Sequence, residues 1–221
     1  MKNLKNILSL FNHIMAILGK EITEKLSDDS WKQTPHVQWD LEYESKYYDQ
    51  TNQIFIPTPY IMRRIKDLLK SESKLFGLGN ENYISHNTYI DFLFVLFIES
   101  YDSEINGWSI ESLKSVLQPR SFVVGTPEKG LPFVGGSRQG ELENIYLYQI
   151  LRKFGQPTYD DISSDNKVQK EWDIEFDNGV RATIYDYKQY GLSPEDINYW
   201  SIGGNGMMAP FEVYKVMGLF P

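Results

Sequence analysis

Leu4, Leu8, Phe11, Met15, Leu18, Ile22 and Leu26 recur at steps of three and four. That spacing predicts an amphipathic helix ending before the polar cluster Ser27 to Ser30. Such a stripe can lie on a membrane or pack on the chain's own core, and the second is expected here. From Val37 to Tyr43 apolar and polar residues alternate, which predicts a half-buried strand, with a second short strand at Gln53 to Ile56. Thr58 is placed to cap a helix with Pro59 at its first position, where a missing N–H costs nothing. Ile61, Ile65, Leu68 and Leu69 form its apolar face, and Arg63, Arg64, Lys66 and Lys70 a basic one. Tyr89 to Ile98 is apolar nearly all round and is expected in the centre of a core. Ser109 should cap a short helix from Ile110 to Leu117, and Ser121 to Val124 reads as a strand.

Pro127, Gly130, Pro132, Gly135, Gly136 and Gly140 fall close together, so residues 126–140 read as a connection between a portion 1–125 and a portion 141–221. The alternative is one continuous domain. Glu141 to Phe154 is expected to be a helix, with acids in its first turn, Arg152 and Lys153 in its last, and Gly155 as its cap. Trp172, Ile174 and Phe176 then alternate with Asp173 and Glu175. Val180, Ala182 and Ile184 alternate with Arg181, Thr183 and Tyr185. Asn178-Gly179 between them is the strongest short-range hairpin signal. Tyr199 to Ile202 adds a third strand stopped by Gly203-Gly204. Pro210 opens a last helix, Phe211 to Met217, ended by Gly218. The fold class is therefore α+β: a mainly helical N-terminal portion with a short hairpin, and a C-terminal antiparallel meander packed against helices.

The chain has 221 residues with 22 basic and 30 acidic side chains, a net charge of −8. Concentrated positive charge, which phosphate backbones require, is missing, and this argues against a nucleic-acid partner. There is no cysteine, so disulfides, thiolate metal sites and cysteine nucleophiles are excluded. His13, His36 and His86 have no ligand spacing. Asn6, Ser9, Asn12 and His13 interrupt the first apolar run, which is not read as a secretory leader. The run Tyr89 to Ile98 is shorter than the ~20 residues a membrane span needs. No membrane association is expected, and a cytoplasmic location is. Gly135 to Gly140 resembles a phosphate loop, but Glu141 stands where that loop needs lysine. No cofactor is implied.

One motif carries possible chemistry. On a strand, residues two apart share a face, so Asp186 and Lys188 would project together. Metal-dependent nucleases use such an Asp-x-Lys pair, with the carboxylate on Mg²⁺ and the lysine beside the attacking water. Asp173 is the candidate second metal ligand, with Asp160, Asp161, Asp165 and Glu143 as alternatives. The bland reading is a surface ion pair. A different signal is the tyrosine content: Tyr187, Tyr190, Tyr199 and Trp200 cluster near the motif and are candidate contacts for a protein partner.

The segments Glu171-Trp-x-Ile-x-Phe-x-x-Gly179, Ala182-Thr-Ile-Tyr-Asp-Tyr-Lys188 and Trp200-Ser-Ile-Gly-Gly204 resemble uncharacterised accessory proteins of phages and large DNA viruses. The resemblance covers about 35 residues and implies no specific activity. It would place the protein in a host cytoplasm or a virion. Two functions stay open: a non-enzymatic interaction protein that binds a protein partner, and a Mg²⁺-dependent nuclease at Asp186 and Lys188.

Overall fold

The computed structural model describes residues 3–27, 59–78, 86–102, 104–105, 107–126, 137–204 and 206–219. The strands expected at Val37 to Tyr43 and Gln53 to Ile56, the Thr58 cap and residues 127–136 lie outside them. The architecture is α+β, with helices mostly in the N-terminal part and a five-stranded antiparallel sheet in the C-terminal part. The chain divides into two units, residues 1–79 with 96–116 and residues 80–95 with 117–221.

The first unit holds α1 (Leu4–Ser27), α2 (Pro59–Glu72), the end of α3 (His86–Glu99) and α4 (Ile110–Leu117). The buried stripe of α1 is Leu4, Ile7, Leu10, Phe11, Ile14 and Leu18. Leu8 and Met15, expected in that stripe, are only half-buried. The apolar face is thus rotated from the one the leucine spacing suggests, because Ile7, Leu10 and Ile14 are equally apolar and win the packing. Phe11 meets Phe97 edge-on at 4.9 Å and Trp108 at 5.7 Å, so the stripe packs on the chain's own core. The Trp108 indole N–H donates to the Phe97 carbonyl at 2.8 Å. Ile61, Ile65, Leu68 and Leu69 of α2 are buried as expected, and Arg64 on its basic face makes a two-pronged ion pair with Glu21. Ser109 caps α4: its hydroxyl accepts from the Ser112 N–H at 2.9 Å and Ser112 reciprocates. No described helix is long and apolar enough to cross a membrane.

The second unit is organised by its sheet: β1 (Phe122–Val124), β2 (Arg138–Glu143), β3 (Glu171–Phe176), β4 (Arg181–Tyr185) and β5 (Tyr199–Gly204), in the order β1-β3-β4-β5-β2. β3 to β5 form the expected meander. Its hairpin turns through Asp177, Asn178 and Gly179, with Gly179 alone left-handed at φ +79°. The Phe176 N–H bonds the Val180 carbonyl at 2.9 Å. Three loop residues ending in a left-handed glycine thus replace the two-residue Asn-Gly turn. In this register Trp172 faces Ile184 and Ile174 faces Ala182, and all four are fully buried. Trp200 and Ile202 of β5 and Leu142 of β2 continue that apolar face.

Two helices serve that face, α5 (Leu147–Phe154) and α6 (Met208–Met217). The Trp200 indole donates to the Ile145 carbonyl at 2.8 Å and the Trp172 indole to the Gly155 carbonyl at 3.0 Å, bracketing α5 at both ends. Phe211 of α6 stacks on Phe92 at 4.9 Å, within the part of α3 that belongs to this unit. β5 runs through Gly203 and Gly204 rather than stopping there. A Cβ at Gly204 would lie 2.3 Å from that of Ala209, so only glycine lets α6 approach the sheet. Beside it, Glu212 of α6 is completely buried. It accepts from Arg120 at 3.2 Å and Asn178 at 3.1 Å, and Lys215 lies 2.7 Å away.

Two further expectations are corrected. Glu141 to Glu143 belongs to β2, not to a helix. Asn144 turns the chain at φ +55° and α5 starts only at Leu147. Residues 138–143 pair with β5, and tertiary pairing outweighs the helical spacing that Leu142 shares with Ile145, Tyr146 and Ile150. Residues 126–140 also do not separate two portions: β1 and β2, on either side of 127–136, lie in one sheet. Gly155 and Gly218 close α5 and α6 as expected. Ile174→Ala should cost about 2–5 kcal/mol through the cavity it leaves. Gly204→Ala should destabilise through collision with Ala209. Urea denaturation checks both, and a shift no larger than that of a surface substitution would refute the register.

Candidate functional site

β4 ends at Tyr185, and the strand geometry that would align Asp186 with Lys188 ends with it. Asp186 turns inward and is 1% exposed. Its Oδ1 accepts the backbone N–H groups of Gln169 and Lys170, both at 2.8 Å. Lys188 is left-handed at φ +57°. Its N–H bonds the Lys167 carbonyl at 2.8 Å, and its ammonium sits 5.0 Å over the Tyr187 ring. Asp186 is therefore a buried backbone acceptor and Lys188 an exposed cation on a ring, rather than a pair projecting from one strand face. The other proposed ligands are also engaged. Lys170 pairs with Asp160, Lys167 with Asp165 at 2.8 Å, and Asp161 accepts the Ile162 N–H at 2.7 Å. Glu143 lies on β2. Among the described residues no group of three or more His, Asp or Glu side chains has a metal-holding arrangement.

The effect of the Asp186 clamp is to tie the segment 158–170 to the end of β4. Tyr159 reinforces it by exchanging backbone hydrogen bonds with Glu171, both at 3.0 Å. Between this segment and the sheet lies a cavity of about 740 Å³. Tyr159, Tyr185 and Tyr187 line it with Ile162, Val168 and Glu171. Its acidic lining residues are Asp160, Asp161, Asp165 and Glu171, against one lysine, Lys167. A smaller cavity of about 420 Å³ adjoins it, sharing Ile162 and Lys167 and including Asp186, Tyr190 and Leu192.

Glu171 and Asp173 sit two apart on one face of β3, and their carboxyls hydrogen-bond. Asp173 is 4% exposed. Burial first, then the charge of Asp173 and its hydrogen bond, push the Glu171 carboxyl up to about 7, with Asp186 adding repulsion. Burial also raises Asp173, opposed by its bond to Glu171. Glu171 thus holds the shared proton near neutrality. Burial raises Asp186 too, against the two backbone N–H groups it accepts. No described lysine or arginine pairs with Glu171 or Asp173.

Of the proposed partner contacts, Tyr187 and Tyr190 are 43% and 64% exposed, and Tyr159, Ile162 and Leu192 beside the cavities are exposed as well. Trp200 is 0% exposed and packs edge-on to Trp172 at 5.6 Å, so it fills the core and reaches no partner. Tyr199 is half-buried, and its hydroxyl takes a hydrogen bond from Arg138, whose guanidinium lies 5.4 Å over its ring. The sequence pattern passes over Glu171, Tyr159 and Ile162. The one legible signal is Glu171-x-Asp173 on one strand face opposite Tyr185 and Thr183. Comparison of the chain with protein-family models, curated proteins and solved structures gives no match.

An unfolded glutamate ionises near ~4.3. The folded state keeps the Glu171 proton to about 7. Its contribution is fully present below the unfolded value and is lost as pH rises through the folded one. Glu171→Gln, which cannot ionise, should therefore raise Tm relative to wild type increasingly over that window and be near neutral in acid. Thermal melts across pH decide this; a gain largest in acid contradicts the pairing. Asp186→Ala strands two backbone donors and should cost about 1–3 kcal/mol, whereas Asp186→Asn keeps an acceptor and should cost less. Denaturant titration of both variants separates the clamp from a catalytic role.

Proposed function

We propose that the chain is a non-enzymatic interaction protein whose second unit docks a polypeptide partner around the mouth of the tyrosine-lined cavity. The observation that carries this reading is the grouping of exposed Tyr159, Ile162, Tyr187, Tyr190 and Leu192 on the segments 158–170 and 186–193. Large apolar side chains gathered on adjacent loops mark a contact surface, whereas scattered ones do not. Tyrosine offers wide contact area at low entropy cost, with a hydroxyl that remains satisfied in water or in a complex. The acidic lining and the net charge of −8 favour a partner segment carrying basic residues, since complementary charge speeds encounter and excludes wrong partners. The resemblance of residues 171–204 to phage and large-virus accessory proteins is in keeping with a small factor that acts by binding.

The reading is tested with an array of short peptides of varied charge probed with the full-length chain. Basic peptides with an aromatic or aliphatic neighbour should be selected. Tyr187→Ala combined with Tyr190→Ala should weaken them about tenfold or more at unchanged Tm. Selection of acidic peptides, or full retention by the double variant, would defeat the proposal.

A further inference from the structure

We infer that the larger cavity is the receptor for one basic side chain of that partner, arginine in preference to lysine, its cationic head held against Glu171 between the rings of Tyr159, Tyr185 and Tyr187. The inference rests on the docking reading and names the partner's anchor. The volume of about 740 Å³ falls within the range of ligand pockets and leaves room for a long side chain. Aromatic walls with an acid at the base attract a cation by two additive routes, the ring quadrupole and the full charge. One face of Tyr187 is already used in this way by Lys188.

Charge pairing within the lining is uneven. Asp160 and Asp165 are neutralised by Lys170 and Lys167. Glu171 has no such partner among the described residues. Asp173 stands beside it on β3, and Asp186 acts on it from the end of β4, both of the same sign. Asp186 adds an independent observation. Its Oδ2 is buried without a hydrogen-bond partner, in a residue that lines the adjoining cavity. The site therefore has acceptors in excess of donors. A phosphate or carboxylate would meet repulsion from three carboxyls. A guanidinium supplies five donors and a planar face that stacks on tyrosine, which is why arginine is preferred. A cation beside Glu171 favours its ionised form, so binding should release a proton and strengthen with rising pH. Asp173 on its own strand and Asp186 just past the end of β4 act on Glu171 directly, Tyr185 lies opposite it on β4, and Asp160, Asp161, Asp165 and Lys167 line the cavity from the opposing loop.

The probes are two pentapeptides, four glycines around a central arginine or a central citrulline, titrated into the full-length chain and followed by NMR. At about pH 8 the arginine peptide should give saturable shifts at Tyr159, Glu171, Tyr185 and Tyr187 and bind about tenfold or more tighter than the citrulline peptide. Its affinity should fall on acidification to about pH 5.5 and fall comparably in Glu171→Gln, whose Tm shows it folded. Equal binding of citrulline, indifference to Glu171→Gln, or no saturable binding of either peptide overturns the inference. If array peptides depend on Tyr187 and Tyr190 yet tolerate citrulline for arginine, the docking surface stands and the cation receptor falls. If the arginine probe saturates the cavity but no array peptide depends on Tyr187 and Tyr190, the cavity is a cation site whose source is not this partner, and the inference fails in that form.

Discussion

Everything in the second unit depends on the register between β3 and β4. Side chains alternate across a strand, so a slip of one residue would exchange Trp172, Ile174 and Phe176 for Glu171, Asp173 and Glu175 on the core face. The Asp177-Asn178-Gly179 turn prevents the slip locally, because only the third residue adopts the left-handed conformation and it is glycine. The fold also prevents it at a distance. Asn178 is bonded to Glu212, which is itself held by Arg120 and flanked by Lys215. A shift of the turn would take Asn178 away from this buried carboxylate, leaving it Arg120 and Lys215 alone, and a lost bond to a buried charge is costly. The register therefore rests on charge as well as on apolar packing.

The same register concentrates acid on the opposite face. Glu171 and Asp173 are adjacent there because of the strand's period of two, and both are partly or wholly withdrawn from water. Asp186 is brought toward them because it closes the segment 158–170 over the sheet. Its clamp depends on two backbone N–H groups and has no use for Lys188. In the fold, the aspartate of the Asp-x-Lys motif holds a loop. The cavity exists because that loop is held, and its tyrosines are positioned by the loop on one side and by β4 on the other.

Where a local rule and tertiary packing agree, the fold is legible in the sequence. The hairpin, the all-round apolar helix α3, the Ser109 cap and the glycine ends of α5 and α6 each express one short-range preference that nothing opposes. Residues 138–143 show the opposite case. Glu141, Leu142 and the following apolar residues fit a helical stripe and a strand equally well, and β5 decides the outcome from some sixty positions away. Trp200 misleads for a related reason: a tryptophan beside tyrosines suggests a surface cluster until its strand is known to face α5. Glu171 is only faintly legible: Glu171-x-Asp173 puts two acids on one strand face, but the spacing says nothing of their burial. Its character comes from Asp173, Asp186 and burial together, and only the folded chain assembles these.

The strand order has a consequence for synthesis. β1 and β2, the two edges of the sheet, emerge from the ribosome well before β3 and β5, on which they pair. α6, whose Phe211 stacks on Phe92 of α3, emerges last. The two edge pairings and the Phe211–Phe92 contact therefore join distant parts of the chain, the kind that form slowly and late. Until the meander arrives, the early strands carry unsatisfied backbone edges in a crowded cell. Completion of this sheet therefore waits on the meander, which joins two edges made well before it.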